Sequence, residues 1–164
     1  MSSSPAADEA PPRRPSDGAA PHADQDGENG GWAVDTSVAV AYLDADHTAH
    51  EACVAAVGGR RAALAGHAAF EAYSVLTRLP EPNRVACADA WQGLEAAFPE
   101  RCWLAPEELD TLVRRLAQLG VIGGAVFDAL VGEAARAADR TLLTRDRRAR
   151  GTYDLLGVRY RLVE

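Results

Sequence analysis

Apolar positions along the chain form short continuous runs that alternate with longer stretches of helical period. Trp32-Ala33-Val34 is one such run, and it predicts a buried first strand ending at Asp35. Helical spacing follows over Ser37–Leu43 and again over His47–Val57. Arg61–Ala65 reads as a weak second strand and His67–Leu79 as a helix stopped by Pro80. Asn83–Phe98 reads as a helix with Asn83 at its N-cap and Pro99 as its stop. Cys102–Leu104 is a short strand. Pro106 then opens a helix at a favoured first-turn position, Glu107 and Glu108 suit its positive end, and Gly120 closes it. Ala125–Ala138 is helical, Thr141–Thr144 is a buried strand, and Arg147–Leu155 is helical again. Val158–Val163 alternates as an edge strand.

Strands separated by helices of this length imply βαβ units. The expected fold is therefore α/β: a three-layer α/β/α domain over residues 32–164 with a central, mainly parallel sheet. Residues 1–31 break the pattern. They are rich in Ser, Pro, Ala, Asp and Gly without periodicity, and they read as a disordered acidic tail that buries too little to offset ordering entropy.

Composition narrows the chemistry. All 17 basic residues are Arg, and Lys is absent. This excludes a P-loop lysine, a Schiff-base lysine, and the lysine that partners an aspartyl phosphate. Cys53, Cys87 and Cys102 are odd in number and irregular in spacing, so reduced thiols in a cytoplasmic protein are expected rather than a disulfide framework. No apolar run approaches the roughly 20 residues of a membrane span, and the N-terminus carries no apolar signal core.

The acids stand where a parallel sheet would gather them. Ligands of such sheets bind beyond the carboxyl ends of the strands. Asp35 directly follows the first strand, and Asp146 follows Thr141–Thr144 by one residue. Glu71 and Asp128 sit on helices in unusually apolar company, where a carboxylate is costly unless paired or metal-bound. Gly124 and Gly132 flank Asp128 by one turn each and leave room for a substrate backbone or a second helix. Four carboxylates without His or Cys are hard oxygen ligands, suited to Mg²⁺ or Mn²⁺. Converging acids repel, so at least one should have a raised pKa in the absence of metal.

Each residue also has an ordinary role. Asp35 and Asp146 could be turn residues or helix caps, and Glu71 and Asp128 could form buried pairs with Arg. Thr36, Ser37 and Thr144 could orient carboxylates or bond local backbone. Arg78, two turns beyond Glu71, and the run Arg145, Arg147, Arg148 and Arg150 beside Asp146 could meet phosphates or only water. Asp110 and Asp139 lie in polar helical surroundings and read as solvated. His47, His50 and Cys53 share a helical spacing but lack a fourth zinc ligand.

Four segments together carry a family resemblance. Asp35-Thr36-Ser37-Val38 resembles the opening motif of PIN domains. Phe70–Pro80, Gly123–Leu130 and Leu142–Asp146 resemble the segments that carry the second, third and fourth acids of VapC-type toxins. Each is short, but all four occur in order with fitting gaps across residues 32–164. The resemblance implies a PIN fold and a Mg²⁺- or Mn²⁺-dependent endoribonuclease that leaves 5′-phosphate and 3′-hydroxyl ends. It implies metal ligation and catalysis by Asp35, Glu71, Asp128 and Asp146, a homodimer, and a small antitoxin partner. The net charge of −7 is unhelpful for binding a polyanion, but the tail accounts for −4 of it and the folded part for −3, which four metal-bound acids would offset. Two other classes remain: a phosphatase forming an aspartyl phosphate, which would want an Asp-x-Asp and a Lys, and a PIN fold kept only for protein contacts.

Overall fold

The computed structural model describes residues 31–164. The tail expected over residues 1–31 thus lies outside the described residues except for Gly31.

Three apolar runs form the centre of the sheet because only they can be covered on both faces. These are β1 (Trp32–Val34), β2 (Ala63–Ala65) and β4 (Thr141–Thr144), whose apolar residues are all buried. The two remaining strands, β3 (Glu100–Cys102) and β5 (Tyr160–Leu162), carry Glu100, Arg101 and Arg161 and occupy the edges. The order is β3-β2-β1-β4-β5, and every neighbouring pair is parallel.

Crossovers between parallel strands are right-handed. The chain moves outward through β1, β2 and β3, then returns past β1 to β4 and β5. Helices of the two halves therefore cover opposite faces. One layer holds α1 (Thr36–Leu43), α2 (His50–Val57), α3 (Ala68–Leu76) and α4 (Cys87–Ala97). The other holds α5 (Pro106–Leu119), α6 (Ala125–Ala137) and α7 (Arg150–Leu156). The expected three-layer α/β/α architecture is present, and its sheet is wholly parallel.

Several boundaries differ; the helix expected over His67–Leu79 ends at Leu76, and the strand expected from Arg61 starts at Ala63. The helix expected from Asn83 starts at Cys87; Asn83 instead donates its side-chain amide to Asp46 at 3.2 Å, and Val85 N–H is taken by Leu76 O. The third strand lies two residues earlier than Cys102–Leu104, because register with β2 pairs Glu100 with Ala63 and Cys102 with Ala65. The helix expected from His47 starts at His50, since His47 Nδ1 accepts the Ala49 N–H at 3.1 Å in a local turn. Arg147–Leu155 is split into a 3₁₀ turn at Arg147–Ala149 and α7.

Two glycines fix how close the layers come. Gly66, after β2, has φ +52°, and a Cβ there would stand 3.2 Å from Leu130 O on α6. Gly132 on α6 faces the Tyr153 ring and Val158, so it makes room for α7 rather than for a ligand. Around Gly124 the space is open.

Candidate active site

β1 and β4 are neighbours, and the strand order reverses between them. This is the switch point at which open parallel sheets bind ligands. The Asp35 N–H continues the ladder by donating to Leu143 O at 3.1 Å, which fixes Asp35 beside the end of β4. Asp35 then caps α1, and Asp146 caps the 3₁₀ turn after β4. Glu71, in the first turn of α3, approaches from one helical layer, and Asp128, in the first turn of α6, approaches from the other. All four carboxylates line one cleft of about 300 Å³, with Thr36, Ser37, Phe127, Val131, Arg148 and Tyr153.

Asp35 is the buried member, 6% exposed. Its Oδ1 accepts the Ser37 hydroxyl at 2.7 Å and the Val38 N–H at 2.9 Å, and its Oδ2 accepts the Thr144 hydroxyl at 2.5 Å. Both hydroxyls also accept from the chain beyond β4. Ser37 Oγ takes the Arg145 N–H at 2.8 Å, and Thr144 Oγ1 takes the Asp146 N–H at 3.0 Å. The two hydroxyls thus lock the two acid-bearing strand ends together. Burial raises the Asp35 pKa above its ordinary value; the Thr144, Ser37 and Val38 hydrogen bonds oppose this, and the Asp146 charge adds to it.

A comparison within the molecule shows what is unusual about Asp35. Glu133 is also buried, but Arg136 stands 2.5 Å and Arg115 3.7 Å from its carboxylate. That is the common fate of a buried acid. Asp35 has only neutral donors, so its charge is hydrogen-bonded but not neutralised.

The other three acids are less buried than their apolar sequence context suggests. Glu71 has a side chain 42% exposed; its Oε2 accepts the Thr36 hydroxyl at 2.6 Å, and its Oε1 lies 3.5 Å from His67 Nε2. Asp128 is half-buried, and its pKa is raised by burial first, then by the charges of Asp146 and Glu71. Neither forms the buried Arg pair that was its ordinary alternative. Asp146 runs the other way. Arg148 engages both its oxygens, at 3.0 Å (Nε to Oδ1) and 2.8 Å (Nη2 to Oδ2), and holds its pKa below the ordinary value.

All three candidate hydroxyls, Thr36, Ser37 and Thr144, donate to carboxylates rather than to backbone. The candidate arginines fare differently. Arg78 is exposed beyond the end of α3, and its Nε donates to Ser74 O. Arg147 pairs with Glu164 at 2.6 Å. Arg145 is half-buried, and its Nε is buried without a hydrogen-bond partner. None of the three lines the cleft; Arg148 does. Sequence reasoning did not single out Tyr153, Phe127 or His67, which stands against Phe127 with ring centroids 5.4 Å apart. Phe127 and His67 each lie within four residues of a candidate acid, a usable signal; Tyr153 had none, because only the fold carries α7 under the cleft. His50 Nδ1 stands 3.1 Å from Ala41 O, so backbone rather than zinc occupies it.

The donor set fits a hard divalent ion: four carboxylates, no thiolate, and two of the acids with pKa values raised by burial and mutual charge. Among the described residues, no three His, Cys, Asp or Glu side chains already converge on one point. Asp146 is turned onto Arg148.

Three layers around a parallel sheet, with four acids at its switch point, define an α/β protein built around an acidic cleft. The chain belongs to the PIN domain family, whose model matches residues 33–155. It is 50% identical over 126 residues to Ribonuclease VapC27 of Mycobacterium tuberculosis, covering 77% of this chain and 92% of that protein. It is 47% identical over 133 residues to Ribonuclease VapC40 of the same species, covering 80% of this chain and 98% of that one.

Proposed function

We propose that the chain is a divalent-metal-dependent endoribonuclease, the toxin of a toxin–antitoxin pair. The observation that carries this is the single cleft lined by Asp35, Glu71, Asp128 and Asp146 at the switch point of the sheet. The ribonuclease names of two relatives covered over nearly their whole length support RNA as substrate.

Asp35, Asp128 and Asp146 would hold Mg²⁺ or Mn²⁺. Such an ion, when bound, activates water near neutral pH and offsets charge on a phosphodiester during in-line displacement. Asp35 is kept ionisable but uncompensated by Ser37, Val38 and Thr144, which leaves its charge for a cation. Glu71 is held through one oxygen by Thr36, and its other oxygen, with only His67 Nε2 nearby at 3.5 Å, would hold metal or orient the attacking water. Phe127 and Val131 wall the cleft on the α6 side. The same reading includes a small antitoxin that covers the cleft, a homodimer, and a cytoplasmic setting; the described residues contain no helix long and apolar enough to cross a membrane.

The test is RNA cleavage by the purified chain with Mn²⁺ or with EDTA. Cleavage should require the metal and vanish in Asp35→Asn. RNA left intact by wild type under all metal conditions would overturn the enzymatic reading and favour a PIN fold kept for protein contacts.

A further inference from the structure

Among the described residues, Arg148 is the basic side chain that lines the acidic cleft. Its guanidinium forks the Asp146 carboxylate at 3.0 and 2.8 Å, and its own N–H donates to Asp146 Oδ1 at 2.8 Å. Both oxygens of one proposed metal ligand are therefore committed to a cation that the protein supplies itself. Neighbouring Arg147 does nothing of the kind and points to Glu164.

We propose that Arg148 is a built-in counterion that competes with the divalent ion for Asp146 and, once released, takes a phosphate of the RNA. This rests on the metal-dependent reading above. Three observations carry it. A guanidinium in the cleft repels a second cation and occupies the lone pairs that cation needs. The Arg148 side chain is 91% exposed, so little packing holds it, and an exposed ion pair is weak enough to be displaced. Arg148 is two residues from Asp146, so the released fork stays at the cleft mouth, where its planar donors match two phosphate oxygens. Asp35 makes the contrast: it has no basic partner and needs no such exchange. Arg148 is thus a positioning residue for metal entry and a contact for substrate.

The test titrates Mn²⁺ into the metal-stripped full chain by calorimetry, without RNA. Arg148→Gln should bind Mn²⁺ roughly two- to five-fold more tightly than wild type, the scale of one exposed ion pair. Arg148→Lys keeps the charge without the fork and should fall between. Arg147→Gln should match wild type. In an Asp146→Asn background the gain from Arg148→Gln should disappear. With Mn²⁺ saturating, Arg148→Gln should raise KM for a single-stranded RNA roughly ten-fold, about 1.4 kcal/mol at 25 °C, with a smaller change in kcat. Unchanged or weaker Mn²⁺ binding by Arg148→Gln, an equal gain in Arg147→Gln, or an unchanged KM overturns the proposal. Wild type that takes up no Mn²⁺ sinks the metal-dependent reading and this one together; wild type that binds it while Arg148→Gln is unaltered sinks this one alone.

Discussion

Asp35 is the residue on which the cleft turns, and its protonation has a definite sign. Burial raises its native pKa above the ordinary carboxylate value. Between those two values the folded state binds more protons than the unfolded state, so metal-free stability falls as pH rises through that window and is level above it. Asp35→Asn cannot titrate. Without metal, its melting temperature should therefore fall less than that of wild type as pH rises from about 4 to 7, on top of a pH-independent cost for the acceptor oxygen that the amide takes from Ser37 or Thr144. Asp128→Asn should follow the same sign, since its pKa is also raised. Asp146→Asn should not, although repulsion among four acids would suggest that all behave alike. Its pKa is lowered by Arg148, so its contribution is present at neutral pH and lost as pH falls through the native pKa. Melting curves in EDTA from pH 4 to 8 separate the cases: an Asp146→Asn protein stabilised at pH 7 would show that the Arg148 pair is not formed in solution. Added Mn²⁺ should raise the wild-type melting temperature through binding to the native state, and the rise should shrink in all three variants while Asp110→Asn keeps it.

At the scale of elements, apolar runs located strands well because burial on both faces demands continuous apolar character. Helix starts were harder. Asn83 has the chemistry of an N-cap, but its amide is used by Asp46 across a loop, and α4 begins four residues later without a side-chain cap. The contact between α6 and α7 carries a sharper consequence. A Cβ on Gly132 would lie 2.9 Å from the Tyr153 ring and 3.0 Å from Val158. Both neighbours are buried, so neither can move cheaply. Gly132→Ala should cost about 1–3 kcal/mol by overpacking, seen as a drop of several degrees in melting temperature. Gly124→Ala, which meets nothing within 4 Å, is the matched control and should be nearly neutral. A harmless Gly132→Ala would mean that α6 and α7 sit further apart than described. Because Tyr153 also lines the cleft, the same substitution should weaken Mn²⁺ binding.

For the whole molecule, the unexplained surface is apolar. α5 buries Leu112 and Leu116 but leaves Val113 65% exposed, and Ile122 just beyond it is 81% exposed. On the helix of Trp91, by contrast, Leu94 and Phe98 are buried, while Trp91 lies half-exposed under the Arg101 guanidinium. A second copy of the chain docking through Val113 and Ile122 would remove both side chains from water. Light scattering at micromolar concentration should give twice the chain mass. Val113→Glu with Ile122→Glu should give the chain mass while keeping the melting cooperative. A wild-type monomer, or a dimer indifferent to both charges, rejects this surface.

Sequence alone determined the α/β class, the strands to within about two residues, and the four acids that come to line one cleft, because continuous apolar runs and lone carboxylates in apolar company are local signals. It also marked Thr36, Ser37 and Thr144, each adjacent to an acid or to a strand end. Tertiary structure decided what those groups do to one another. Only the pairing of β1 with β4 places the hydroxyls of Ser37 and Thr144 between Asp35 and the chain beyond β4. Only the crossover of α6 brings Asp128 to the cleft from the opposite layer. Which of several arginines faces the acids was not written in their spacing: Arg145, Arg147 and Arg148 sit within four residues, and the turn capped by Asp146 sends one to Glu164 and one to Asp146. Side-chain direction at the end of a strand depends on the local turn and on partners far along the chain, and neither is encoded in a short motif.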